Sequence, residues 1–416
     1  MRGMEYRAYK RQAFDRESCT GCGVCLRRCP VVELSPAGAR QEMARLLAGD
    51  DSPLLRACTS CGACNLFCPE DCRPANLIVA RWHEAYQQHG LPARAAYFLP
   101  HSRPNFRTDI VARLPADERA AAARWRRAAE GPAEGEFLFS GCNLITTPYL
   151  TFSRLFEGIK IVGGLDYCCG EMLFRMGLYE AVEATARRLD HWFRRMGAER
   201  VYLTCTAGLN MLRHVLPQFG ADLGQIEFRP YLAVILARLE AGDLGPVRPL
   251  EMEVTVQDPC HSRHLAPDFA DLPRRLLAAI GVRVREAPHS REQGLCCGIA
   301  GGFSHASAYH PADLLLSARA TSRDQRQVAA DGTCVYCAGC LEMMSVARLV
   351  DPNRRPVYHL LELVQMAIGE TPRRRQGALA RGFVLGTVRR QFPRLASRER
   401  FWLPELPLEP DPEEAI

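Results

Sequence analysis

Apolar and polar positions follow two different periods along this chain, and the change of period divides it. Over residues 77–88 apolar and aromatic side chains recur at helical spacing, with Trp82 and Tyr86 as packing residues, until Gly90-Leu91-Pro92 stops the run. A short helix is expected at 42–48. Another is expected at 117–129, inside a Pro-, Asp-, Arg- and Ala-rich stretch (100–135) that reads as a helical linker with its arginines on a solvated face. At Glu136 the texture changes to short β-runs: E-F-L-F-S-G before Cys142, I-K-I-V-G-G-L-D-Y before Cys168-Cys169-Gly170, and R-V-Y-L-T before Cys205. Helical patterns such as 179–196 separate them. The same order returns as V-T-V-Q-D-P before Cys260, V-R-V-R-E-A-P ahead of Cys296-Cys297-Gly298, and G-T-C-V-Y before Cys337. Such β-α-β alternation predicts two α/β lobes with parallel sheets, 136–245 and 246–350. Beyond Asp351-Pro352, V-Y-H-L-L-E-L-V-Q-M-A-I-G reads as an amphipathic helix packed on the second lobe, and the 351–416 segment ends in a basic tail.

The chain is 416 residues long and 47% hydrophobic, enough to bury several cores, so more than one domain is expected. Its 19 cysteines cluster at metal-ligand spacings, which points to reduced thiolates and a cytoplasmic location and away from a secreted disulfide scaffold. Residues 19–30 (C-T-G-C-G-V-C-L-R-R-C-P) and 58–69 (C-T-S-C-G-A-C-N-L-F-C-P) repeat the bacterial two-cluster ferredoxin run, in which three cysteines wrap one cubane and the fourth crosses to the other. One [4Fe–4S] cluster is therefore expected on Cys19, Cys22, Cys25 and Cys68, and a second on Cys58, Cys61, Cys64 and Cys29. The doubled spacing with terminal Cys-Pro speaks against a pair of zinc sites. Cys72, just past the second motif, reads as a free buried thiol. The fold class expected is α+β multidomain: an N-terminal helical two-[4Fe–4S] ferredoxin-like domain (1–99), then the linker and the two cysteine-rich lobes.

The second lobe carries the other chemistry. A vicinal cysteine pair followed by glycine suits an inorganic body larger than one zinc ion. Gly298, Gly301 and Gly302 are expected to let backbone approach it. Thirty-five residues separate Cys260 from Cys296 and thirty-six separate Cys297 from Cys334. This pattern resembles the Cys…Cys-Cys-Gly…Cys-x-x-Cys repeat of the cysteine-rich (CCG) iron–sulfur family: the heterodisulfide reductase catalytic subunit and the iron–sulfur subunits of glycolate oxidase and anaerobic glycerol-3-phosphate dehydrogenase. The resemblance implies a non-cubane [4Fe–4S] cluster on Cys260, Cys296, Cys297, Cys334 and Cys337. Cys337-Ala-Gly-Cys340 is an equally valid terminal pair, so Cys340 stands as the alternative register. His261, next to Cys260, is the candidate proton donor, with His264 and His289 nearby; the plain alternative makes all three polar lip residues.

The first lobe departs from that pattern. Only twenty-five residues separate Cys142 from Cys168, and Cys205-Thr-Ala-Gly208 has glycine where a second cysteine is expected. Three readings follow for Cys142, Cys168, Cys169 and Cys205: an empty structural lobe, an ordinary cubane, or a non-cubane cluster completed by an outside ligand.

Net charge is +6, but residues 372–400 hold nine Arg against one Glu, so the basic character lies in the tail and argues against a general nucleic-acid-binding surface. Residues 1–10 show no apolar signal core, and no run is long enough to span a bilayer. Arginines around 383–388, with Phe401-Trp402-Leu403 behind, suit either peripheral contact with the inner face of a membrane or an acidic partner, or form a solvated cap on the fold; Gly377, Gly382 and Gly386 weaken a helix there. No flavin, NAD or ATP site is readable, so electrons must come from a redox partner: a flavoprotein dehydrogenase, a haem membrane subunit or a thiol–disulfide system. The reading is an iron–sulfur oxidoreductase subunit that carries electrons through two cubanes to the second lobe. A relay serving a flavin-dependent 2-hydroxy acid or glycerol-3-phosphate dehydrogenase, and a non-enzymatic redox scaffold or sensor, are the alternatives.

Overall fold

A computed structural model describes residues 13–133, 135–266, 268–304, 309–351 and 354–409. Residues 1–10, read above for a signal core, lie outside the described residues. Ten strands occur among the described residues: β1 (Leu91–Pro92), β2 (Gly135–Phe139), β3 (Ile161–Val162), β4 (Ala198–Leu203), β5 (Glu227–Pro230), β6 (Glu253–Gln257), β7 (Arg283–Val284), β8 (Gly332–Val335), β9 (Val357–His359) and β10 (Arg400–Phe401).

The part before β2 is helical. Helix Pro36–Ala48 starts well ahead of the expected 42–48, because Ser35 caps it by accepting from the Gly38 amide and Pro36 sits at the first turn, where no N–H is needed. Helix Pro74–His89 matches the apolar stripe read from 77–88 and stops at Gly90. Trp82 is buried and donates to the Leu55 carbonyl at 2.9 Å, a packing role as expected.

Two four-stranded sheets follow, in the orders β3-β2-β4-β5 and β7-β6-β8-β9, and every pairing in both is parallel. In each sheet the chain runs outward from the first strand to one edge and then crosses to the other side. The two central strands (β2 and β4; β6 and β8) therefore flank a topological switch point, where a crevice opens beyond their carboxyl ends. Tyr167, Trp192 and Phe193 pack over the first sheet, with the Tyr167 and Trp192 rings 4.5 Å apart.

Three expectations change. Residues 100–135 carry the expected helix as Ala116–Ala128, with Arg119, Arg124 and Arg127 exposed, but its other side is packed: Trp125 is buried, and Arg126 is buried in an ion pair with Asp166 at 2.9 Å. Val357–His359, expected as the first turn of a helix, is the fourth strand of the second sheet; helix Leu360–Ala367 starts after it, with His359 and Glu362 forming a reciprocal cap. The glycine-rich tail segment is helix Gln376–Gln391, since a Cβ on Gly386 would collide with the Tyr97 hydroxyl and glycine lets the helix settle there. No described helix is long and apolar enough to cross a membrane.

Candidate iron–sulfur sites

The two ferredoxin-type motifs fold alike because each carries a glycine in the left-handed region, Gly23 (φ 71°) and Gly62 (φ 74°), which opens a short helix right after the second cysteine. Cys25 and Cys64 fall on those helices, and Cys29 and Cys68 at their ends. Side chains then group across the motifs. Burial, with Cys68, Cys22 and Cys19 around it, pushes the Cys25 thiol up to about 12. Cys64 is pushed up by burial and by Cys58, Cys61 and Cys29. The fourth cysteine of each motif thus crosses to the other set. Backbone amides of Val31, Ser60 and Cys72 point at the sulfurs of Cys29, Cys58 and Cys68 at 3.4, 3.2 and 3.3 Å. Cys72 itself is buried and turns its thiol toward the Glu70 carbonyl.

In both sheets the remaining cysteines emerge where the switch-point crevice opens. Cys142 follows the end of β2 by three residues, and Cys260 follows β6 by three; Cys205 and Cys337 follow β4 and β8 by two each. By this register Cys205 corresponds to Cys337, and Gly208 to Cys340. Cys334 lies inside β8, fully buried, with its thiol toward the Val335 carbonyl and Glu362, Asp258 and Arg274 as its charged surroundings. The structure thus sets Cys334 apart from the other thiols. The reason is that the crevice begins only after the strand has ended.

The others form one run. Cys260 lies against Cys296, Cys296 against Cys297, Cys297 against Cys340, Cys340 against Cys337, and Cys337 against Cys205 of the first sheet. Cys169 is in electrostatic reach of Cys205, and Cys168 touches both Cys169 and Cys142. Hydrogen bonds from Cys296 and Cys340 hold the Cys297 thiol down to about 6, whereas Cys340 is pushed up by Cys297 and Cys337. Among the described residues no three His, Cys, Asp or Glu converge on a point the size of a single ion; a four-iron body is larger and takes its thiols at separate corners.

Arg175 ties this run to the ferredoxin-type part. It ends the short helix Glu171–Arg175 that follows Cys168-Cys169-Gly170, and it is 3% exposed. Its guanidinium donates to the Thr59 carbonyl at 3.1 Å, next to Cys58, and reaches the Cys260 sulfur at 2.6 Å and the Cys296 sulfur at 3.9 Å. Glu171 pairs with it. Burial opposes charge on Glu171, but Arg175 and His261 overcome that and hold it down to about 2. His261 is gripped from the first sheet's side: its Nε2 is 2.8 Å from Glu171 and its Nδ1 is 3.1 Å from the Asn210 amide. Nε2 also lies 2.8 Å from the Arg175 guanidinium, so it sits between a carboxylate that can only accept and a guanidinium that can only donate. His261, Arg175, Asn210, His264 and Arg263 line a cleft of about 370 Å3 between the ferredoxin-type helices and both sheets.

The other two histidines separate from this role. Burial, with His261 and Arg263 nearby, pushes His264 down to about 3, and it sits 3.4 Å from the Cys61 carbonyl. His289 pairs with Asp324 at 2.7 Å instead. The glycines also differ from expectation. A Cβ on Gly298 or Gly301 would strike Ala318 or Ser317, and one on Gly302 would lie 2.8 Å from Leu314, so these glycines seat the loop on helix Pro311–Gln325. The Ile299 amide does point at Cys297.

Two buried guanidiniums test whether an anionic cluster suits these thiols. Arg107 is 3% exposed, beside Cys142 and Cys168; it donates to Asn143, yet its Nη1 has no partner. Arg263, within reach of Cys29, donates to the Gly294 carbonyl and has neither Nε nor Nη1 satisfied. A buried unpaired N–H of a charged group is costly, and sulfide acceptors beside it would remove that cost. The thiol sets fit iron–sulfur clusters. Sequence reasoning missed Arg107, Arg175, Glu171 and Asn210; the Glu171/Arg175 pair at i, i+4 directly after the first Cys-Cys-Gly, absent after the second, was the available signal.

Known proteins share the segments that carry these cysteines. Residues 15–72 match the model of a 4Fe-4S dicluster domain, and residues 254–345 match that of a cysteine-rich domain. The chain is 25% identical to the D subunit of the dihydromethanophenazine:CoB–CoM heterodisulfide reductase of Methanosarcina barkeri, over 86% of its own length and 95% of that protein. It is 27% identical to the EtfAB:quinone oxidoreductase of Syntrophomonas wolfei over 59% of this chain, which spans only 36% of that relative. It is 24% identical to the B subunit of the fumarate reductase (CoM/CoB) of Methanothermobacter marburgensis, over 68% of this chain and 59% of that protein.

Proposed function

We propose that this chain, an iron–sulfur oxidoreductase subunit related to heterodisulfide reductase and to EtfAB:quinone oxidoreductase, conducts electrons from its ferredoxin-type part into the cysteine run of the two sheets. The observation that carries this is the single guanidinium of Arg175, which touches the Thr59 carbonyl beside Cys58 and the sulfur of Cys260 at once. Cys19, Cys22, Cys25 and Cys68 would hold one cubane, and Cys58, Cys61, Cys64 and Cys29 another. Cys260, Cys296, Cys297, Cys337 and Cys340 would hold the five-thiol cluster, with Cys334 left out of the set. Cys142, Cys168, Cys169 and Cys205 would hold a further four-iron cluster; the unsatisfied Arg107 favours this over an empty site.

When bound, such clusters accept and release single electrons with little rearrangement. The residues do the rest. Buried Arg175 and Arg107 offset negative charge gathered on the thiols, and burial excludes water that would screen them. His261 lines the cleft with Glu171 and Arg175 on its Nε2, and it is the side chain that would pass a proton between Glu171 and a group bound there. The cleft, with Arg175 and Arg263 in its wall, supports reduction of a small anionic disulfide as the terminal step. A relay to a partner enzyme has its own support: Cys296 also lines a second cleft of about 330 Å3, together with Pro30 and Val31, which follow Cys29. A reducing cytoplasm is where so many free thiols would persist.

Purified anaerobically, the chain should turn over a dithiol/disulfide couple with reduced viologen. Reversible reduction without turnover would assign it to the relay reading, and no reversible reduction would leave a scaffold. His261→Gln should lower disulfide turnover by on the order of a hundredfold while iron content is kept; unchanged turnover would remove His261 from the mechanism.

A further inference from the structure

Helix Gln376–Gln391 is turned the wrong way round for a helix that only caps a fold. Its inward side carries Gly382, Gly386, Thr387 and Gln391 beside Leu379, Ala380 and Phe383, and part of its hold on the body is polar: Gln376 donates to Glu362 at 2.8 Å and Gln391 to the Arg94 carbonyl at 2.7 Å. The Phe383 ring packs 5.4 Å from that of Phe106. The outward side carries Val384, Leu385 and Val388, continued by Phe392, and Leu385 and Phe392 are 57% and 59% exposed. A surface helix ordinarily keeps such side chains inside and its glutamines and threonine outside.

Charge surrounds this ridge. Arg381, Arg389 and Arg398 are exposed and have no carboxylate partner among the described residues, and exposed Arg394 reaches only the Ala93 carbonyl. Of the tail's other arginines, Arg374 lies over the Tyr358 ring, Arg400 is exposed, and three are near carboxylates. Arg373 and Arg375 pair with Asp117 and Glu118, and Arg390 lies 3.8 Å from Asp109. Arg381, Arg389 and Arg394 thus stand exposed along the ridge and its continuation, with no carboxylate beside them among the described residues. A protruding ridge of aliphatic and aromatic tips ringed by guanidiniums matches the boundary between acyl chains and anionic headgroups, which supplies both complements over one surface. A groove on a protein partner would have to bury the ridge and provide acidic groups at several separate positions.

We propose that the outward face of helix Gln376–Gln391, with Leu385, Val388 and Phe392 as its ridge and Arg381, Arg389 and Arg394 around it, rests on an anionic phospholipid surface. This contact does not depend on how many clusters the chain holds or on what it reduces. The test uses the full chain with its iron in place, sedimented with vesicles of equal parts phosphatidylglycerol and phosphatidylcholine, and with phosphatidylcholine alone. Binding about tenfold stronger to the anionic vesicles is expected, falling as salt is raised, with amides of 376–392 slowing in hydrogen exchange on binding. Leu385→Asp with Val388→Asp should weaken binding about tenfold while iron content and visible absorbance stay as in the parent, since both side chains point outward. No preference for anionic vesicles, or equal binding by the double variant, would overturn the proposal. So would a dimer in light scattering that the double variant dissolves, because the face would then belong to a second copy.

Discussion

The two sheets share a strand order and the distance from strand end to first and third cysteine positions, yet they surround their thiols differently. In the second sheet the positions after the strand ends read Cys260-His261 and Cys337-Ala-Gly-Cys340; in the first they read Cys142-Asn143 and Cys205-Thr-Ala-Gly208. His261 faces a cleft of about 370 Å3, whereas Asn143 is turned onto Arg107. The cation at the first set, Arg107, comes from the segment before its sheet; the cation at the second, Arg175, comes from the first sheet's own Cys-Cys-Gly helix and also grips the ferredoxin-type part. A duplicated frame therefore fixes where thiols emerge, and single residues just beyond the strands decide which set is sealed and which meets solvent and its neighbour.

Removing one thiol from each set breaks this comparison most sharply. Cys297→Ser should cost about four irons per chain and abolish disulfide turnover, while Cys334→Ser, inside β8, should keep both. Iron loss in the second variant would return the ligand set to the Cys334/Cys337 register. Next in size is the first set: about sixteen irons per chain are expected in the parent, and about twelve in Cys168→Ser. A parent at about twelve would mean the first set is structural. Arg175→Gln takes a buried cation from the second set without touching a ligand. The midpoint potential of that set should fall by on the order of 60–120 mV, since each tenfold loss of stabilisation for a one-electron step is about 59 mV and a charge-assisted bond contributes roughly 1.5–3 kcal/mol. An equal shift at both sets in a spectroscopic titration would contradict its assignment to one. Smallest is Gly208→Cys, which supplies the first set with its missing fifth thiol; the low-temperature paramagnetic spectrum should change with iron per chain held, at a cost of about 1 kcal/mol because the new Cβ would press Leu203 at 3.0 Å.

Much of the local structure was legible. The apolar stripe of 77–88 yielded its helix, and the alternation after Glu136 yielded parallel strands. Misreadings came where distant groups decide. The glycines of the tail helix are tolerated because Tyr97 leans on one of them. Val357–His359 pairs with β8 because that edge is open to it. Gly298, Gly301 and Gly302 answer to a helix some fifteen residues on, which no local pattern records.

By itself the sequence determined the chemistry: cysteines two residues apart around a tight glycine turn, with a proline after the last, are a chelate whose geometry is set by a few bonds. Which thiols lie against one another was decided only by the tertiary structure. Whether Cys334 or Cys340 lies beside Cys337 depends on where β8 ends, and the meeting of Cys205 with Cys337 depends on the segments beyond β4 and β8 being brought together. The reach of Arg175 from one sheet to the thiols of the other and to Thr59 requires three separately folded segments to bury one guanidinium together. Contacts between residues far apart in the chain are fixed by packing and charge compensation, and spacing along the chain carries no record of them.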